Sequence, residues 1–198
     1  QLLLETMIQK YTVSRDDSIY EAWPDVIQTP SGKLICVFSE CTHHGDRSYT
    51  RLVYCNSTDR GRSWSAKIPL TDGTRDNPYW NCARIMNLRD GRLAIIADFL
   101  HERERNAAPE QMENYLFFSE DDGGTWSPPQ RTPAMGIVPD KLLELKNGRW
   151  IISGHHRDRA IGNLVQYLWY SDDKGATWSD RVTVGGRAGL NLCEVSIL

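Results

Sequence analysis

The sequence contains no apolar run approaching the roughly 18–20 residues that a membrane-crossing helix requires, which excludes a helical membrane span. It has no surplus of basic charge either. Its 23 Lys and Arg stand against 26 Asp and Glu for a net charge of −3, so the electrostatic reason to expect nucleic acid or an anionic membrane surface as a partner is missing. There is no C-x-x-C pair, and the five cysteines (Cys36, Cys41, Cys55, Cys82 and Cys193) are odd in number, against both a zinc knuckle and a complete disulfide framework. The leading QLLLETMIQKY has a short apolar patch without a basic lead or a small-residue cleavage site, so it does not read as an intact signal peptide, and a signal already removed stays open. Helical periodicity is almost wholly absent.

What is present is repetition. Ser57–Ser65 reads STDRGRSWS, Ser119–Ser127 reads SEDDGGTWS and Ser171–Ser179 reads SDDKGATWS. An Asp whose carboxylate bonds backbone N–H groups two residues on, followed by a Gly free to take positive φ, predicts a tight turn between strands, and the Trp supplies an apolar body to lock it. A second repeat runs out of phase: PSGKLICV, RDGRLAII and KNGRWIIS each set a Gly turn before a β-rich apolar run, with Gly32, Gly91 and Gly148 as the turn residues. One unit is a little over fifty residues and reads strand, Gly hairpin, strand, polar loop, strand, Asp-Gly-Trp turn, strand.

Four antiparallel strands at this period predict an all-β fold, a β-propeller of four-stranded antiparallel blades, with a β-sandwich as the alternative. The units fall at about 20–72, 78–132 and 136–186, and a fourth starts at 190. About three and a half blades would leave sheet edges exposed. The expectation is therefore a portion of a longer polypeptide, or a fragment that meets another copy to close the ring.

In a propeller the innermost strand of each blade lines the axis, and the strand before each Gly hairpin is expected to be that one. This places Asp25, Arg84, Asp140 and Glu194 at or next to one repeated position. Three carboxylates against one guanidinium do not neutralise each other, and crowded carboxylates raise a pKa for acid work; an ion-paired ring that only seals the channel is the structural alternative. The expected loops after each second strand carry Glu40, His43, His44 and Asp46, then Asp98, His101, Glu102 and Arg103, then His155, His156, Arg157 and Asp158. All five histidines lie here, for sugar hydroxyls, proton transfer or a metal. No metal or other cofactor is assigned. Trp23 and Trp80 precede inner strands, where they would stack on a sugar ring or pack in the core.

The three Ser-x-Asp-x-Gly-x-(Ser/Thr)-Trp phrases resemble the Asp-box, or bacterial neuraminidase repeat, of the sialidase superfamily, and the resemblance covers residues 20–198. It implies a propeller that is six-bladed when complete, with the boxes structural and away from the active site. It further implies an exo-glycoside hydrolase acting on a terminal acidic sugar such as sialic acid. Asp46 stands where the family's acid/base is expected, and Glu194 in LCEVSIL is similar to the glutamate that assists its tyrosine nucleophile. The remaining candidates, Asp25, Arg84, Asp140, His43, His44, Asp98, His155, His156, Arg157, Trp23 and Trp80, would bind substrate. The chain departs from the family at Ala22-Trp23-Pro24, where an Arg-Ile-Pro motif is expected, so the anion would need Arg84, Arg157 or residues beyond Leu198. A polysaccharide lyase and a non-catalytic glycan-binding propeller are the alternatives. The resemblance leans towards a secreted or periplasmic compartment, the unpaired cysteines towards the cytoplasm, and the compartment stays open.

Overall fold

A computed structural model describes residues 9–103, 107–138 and 140–197. The chain forms three four-stranded antiparallel sheets. The first is β1 (Tyr20–Gln28), β2 (Leu34–His43), β3 (Asp46–Ser57) and β4 (Ile68–Pro69); the second is β5 (Tyr79–Asn87), β6 (Leu93–Leu100), β7 (Met112–Ser119) and β8 (Gln130–Met135); the third is β9 (Leu143–Glu144), β10 (Trp150–Arg157), β11 (Leu164–Ser171) and β12 (Val182–Gly185). Each sheet is a meander in sequence order. A 3-10 turn, Pro109–Gln111, precedes β7.

The Gly hairpins are built alike. In each, the backbone bonds close between Thr29 and Lys33, Leu88 and Arg92, or Leu145 and Arg149, and the glycine takes φ of +89°, +91° or +87°, where an L side chain would be strained. The Asp-Gly-Trp turns are equally uniform but differ from the sequence expectation in reach. The Asp59 carboxylate accepts the N–H and hydroxyl of Ser63, four residues on rather than two, at 2.9 and 2.6 Å, while the Ser57 hydroxyl accepts the Gly61 N–H at 2.8 Å. The reason is the left-handed pair Arg60–Gly61 (φ +62° and +81°), which curls the chain back over its own carboxylate; Asp121 and Asp173 repeat the arrangement with Thr125 and Thr177.

Side-chain alternation gives the second sheet two apolar faces. Ile85, Ile95, Ala97 and Phe117 pack against Ile35, Val37, Leu52 and Tyr54 of the first sheet. Met86, Ala94, Ile96, Leu116 and Phe118 pack against Trp150, Ile152, Val165, Tyr167 and Trp169 of the third. Trp126 and Trp178 of the turns join these two interfaces. The turn residue just before the glycine reaches further: Asp122 accepts from Ser31 at 2.6 Å in the first sheet's hairpin, and Lys174 meets Asp90 at 3.2 Å in the second's. Sheets thus stack face to face in sequence order, with the first strand of each on the same side.

The expected loops after each second strand are mostly strand. β2 and β3 are joined through His44-Gly45 alone, with His43 paired to Asp46, and His155, His156 and Arg157 belong to β10. A two-residue X-Gly connection favours such a tight hairpin, and the polar side chains lie on strand ends.

Candidate active site

Both complete inner strands break their pairing at the same place. The register shifts between Ala22 and Asp25 in β1 and between Asn81 and Arg84 in β5, and the bulged residues Trp23 and Cys82 are left-handed, with φ of +53° and +47°. Glu194, beyond the third sheet, is left-handed too (φ +54°). These three line one pocket of about 570 Å3, whose wall also includes His44 and Arg47 from the first sheet, Asn81 and Arg103 from the second, and His155, His156 and Arg157 from the third. Three arginines and one glutamate thus belong to this wall, and Arg157 Nη1 donates to the Gly162 carbonyl at 2.5 Å.

Arg47, which sequence reasoning passed over, is held firmly: its Nη1 donates to the carbonyls of His43 and His44 at 2.6 and 2.7 Å, and its guanidinium lies 4.7 Å above the Trp23 ring. Nothing in SECTHHGDRSYT signals this, because it depends on the tight hairpin turning the arginine back over β1. His43 lies outside the pocket wall, its ring 5.7 Å from Tyr20. Asp46 opens β3 at the hairpin, also outside the wall. Its carboxylate accepts the Ser48 N–H at 2.9 Å, and that bond, with the positive charge of Arg103 nearby, holds its pKa below the usual carboxylate value.

The two β10 histidines have assignable tautomers. A guanidinium only donates, so His156 Nε2, 3.2 Å from Arg181 Nη1, is the acceptor, and its Nδ1–H donates to the Arg157 carbonyl at 3.3 Å. The ring stacks on Tyr167 at 4.4 Å. A backbone N–H only donates, so His155 Nδ1 accepts from Glu194 at 3.4 Å and Nε2–H faces Cys193 Sγ at 3.8 Å. Burial lowers both pKa values, which favours these neutral rings.

The other candidates are dispersed. Asp25 Oδ2 accepts the Ile85 N–H at 2.9 Å and Oδ1 meets Lys141 Nζ at 3.0 Å, while Arg84 Nη1 donates to the Trp23 carbonyl at 3.3 Å. These three charged residues sit seven positions before Gly32, Gly91 and Gly148, so Lys141, not Asp140, is the register equivalent of Asp25 and Arg84. With Lys141 in place of Asp140, the four positions hold two carboxylates, Asp25 and Glu194, and two cations, Arg84 and Lys141, rather than three carboxylates against one guanidinium. Asp140 caps its neighbour's N–H at 2.7 Å and lines a separate cavity of about 310 Å3 with Met86 and Ile197. Asp98 is fully buried, accepting the Val138 N–H at 3.0 Å from the segment between β8 and β9. Trp80 packs on Phe99, Phe117 and Tyr115, with centroids 4.5–5.5 Å apart. Among the described residues no three His, Cys, Asp or Glu side chains converge on a metal position.

The BNR repeat-like domain family matches residues 71–198. A sialidase of Bacteroides fragilis is 25% identical over 165 residues, covering 79% of this chain and 28% of that protein. Among solved structures, the NanB sialidase of Streptococcus pneumoniae superposes with a TM-score of 0.66 at 14% identity, over 92% of this chain and 47% of its own. An α-L-arabinanase of Penicillium chrysogenum, solved with arabinobiose, superposes with a TM-score of 0.61 at 19% identity, over 85% and 50%. The chain spans 28–47% of the length of the curated sialidases it matches. The three sheets are accordingly blades of a sialidase-type β-propeller.

Proposed function

The chain belongs to the BNR repeat-like family of the sialidase superfamily, and from that premise we propose that it is part of an exo-glycoside hydrolase removing a terminal acidic sugar, such as sialic acid, from glycans. The observation that carries the reading is that three arginines, Arg47, Arg103 and Arg157, line a pocket that Glu194 also lines. Charge-assisted hydrogen bonds from guanidinium to carboxylate are among the strongest a protein forms, so these residues take over the anion-holding work of the arginine missing at position 22. Trp23 offers ring surface at the pocket wall, and the remainder of the propeller would complete the cavity.

In this reading Asp46 donates the proton to the leaving oxygen and Glu194 activates the nucleophile or water. Asp46 lies just outside the pocket wall with its pKa held below the usual carboxylate value, so in this reading the leaving part of the glycan extends over it and the carboxyl gains its proton there. Exclusion of water and the negative charge of the substrate both raise a carboxyl pKa.

The test is turnover by the full-length protein. Release of free sialic acid from a fluorogenic sialoside is the expected product, an unsaturated uronate from acidic polysaccharide would mark a lyase, and binding without turnover would mark a lectin-like role. Asp46→Asn should lower kcat by about 10²–10⁴-fold with ligand binding retained. Full activity in that variant removes Asp46 from the mechanism.

A further inference from the structure

His155 was expected to touch substrate, yet its geometry suits another task. The residue is 2% exposed. Its backbone is bonded both ways to Ile137, N–H to carbonyl at 3.0 Å each, and Gly136 lies so close that a Cβ there would meet the His155 carbonyl oxygen at 2.3 Å. The opposite residue on β11, Gln166, is 1% exposed. The ring therefore has a fixed origin.

Glu194 has the opposite character. Residues 191–197 form no strand, Glu194 is exposed, and its left-handed φ is one that a side chain with a Cβ adopts only when its surroundings impose it. Several tethers lead back to the third blade: Asn191 Oδ1 accepts the Leu164 N–H at 2.9 Å and Asn163 Nδ2 at 3.2 Å, Leu192 N–H donates to the Leu164 carbonyl at 3.0 Å, and Glu194 N–H donates to His155 Nδ1 at 3.4 Å, with Cys193 Sγ against Nε2.

We propose that His155 is a positioning residue, holding the Cys193–Glu194 backbone in its left-handed turn so that the Glu194 carboxylate faces the pocket. The catalytic half of this rests on the glycosidase reading above; the hold itself does not. Since Nδ1 accepts the Glu194 N–H, an amide oxygen placed there should substitute for it, and one placed at Nε2 should not. Asn meets the first condition and Gln the second.

The experiment compares His155→Asn and His155→Gln with wild type in the full-length protein, by steady-state kinetics on a sialoside and by hydrogen exchange of the Glu194 amide. His155→Gln should speed exchange and lower kcat by about 10–100-fold while KM stays nearly constant, the mark of lost alignment rather than lost binding. His155→Asn should keep both near wild type. Equal exchange in all three proteins overturns the hold. Exchange that follows the expected order with kcat unchanged overturns the positioning role. Exchange in the expected order with no turnover even in wild type leaves the hold standing and sinks the glycosidase reading.

Discussion

Asp25 joins three blades with one side chain, and its two oxygens do unequal work. Oδ2 accepts the N–H of Ile85, a fully buried residue, and Oδ1 meets Lys141, whose side chain is 38% exposed. A buried donor left without a partner costs its whole desolvation penalty, whereas a half-exposed ion pair contributes little. Asp25→Ala should therefore destabilise the protein by about 1–3 kcal/mol. Lys141→Met should cost less than about 1 kcal/mol. Urea unfolding midpoints of the two variants decide this, and equal losses would assign the stabilisation to the ion pair instead. The position was readable in the sequence, because seven residues separate Asp25, Arg84 and Lys141 from their hairpin glycines. Asp140 is only next to that position, and spacing to the turn is the firmer guide, since the ladder fixes register and composition does not. Arg47 could not be found in this way, as its role arises from a tertiary contact with Trp23.

The Asp-Gly-Trp turn is the element that the sequence announces most clearly, because its chemistry is local: Ser, Asp, Gly and Thr or Ser bond one another within seven residues. The hairpins at the pocket end were less legible, since polar residues at strand ends look like loop residues until pairing shows otherwise. The turns also predict a pH dependence. Hydrogen bonds from Ser63 to Asp59, and from the Thr125 N–H and hydroxyl to Asp121, push both carboxyls down to about 2, and Thr177 lowers Asp173. A folded-state pKa below the unfolded value of about 3.9 stabilises the fold fully above that value and is lost as pH falls towards the folded one. Asp16 and Asp90, also at about 2, act in the same window. The melting temperature should drift down below about pH 6.5, where the buried His155 and His156 take up protons more readily in the unfolded chain, and fall steeply between about pH 4 and pH 2. Asp121→Asn should make the steep fall shallower. An Asp121→Asn curve parallel to wild type would show that the turns do not carry the effect.

At the scale of the whole chain, the three blades are unequally protected. The second is covered on both faces, by the first and third blades. The first has its free face sealed by Val13 and Trp64 over Cys36, Phe38, Val53 and Cys55. The third packs only one face into a described cluster, and its outer strand leaves Val182 and Val184 40% and 51% exposed. Stability in a stacked architecture is a sum of unit and neighbour terms, and amide exchange reports it locally. In the 198-residue chain, β6 and β7 should exchange slowest and β12 fastest, with β1–β3 between. A further blade laid on the third, from whatever source, should raise β10 and β11 to the protection of β6 and β7, because their free face would then gain a neighbour. If β10 and β11 already exchange as slowly as β6 and β7 in the 198-residue chain, the uncovered face does not set their protection and the ranking by neighbours fails.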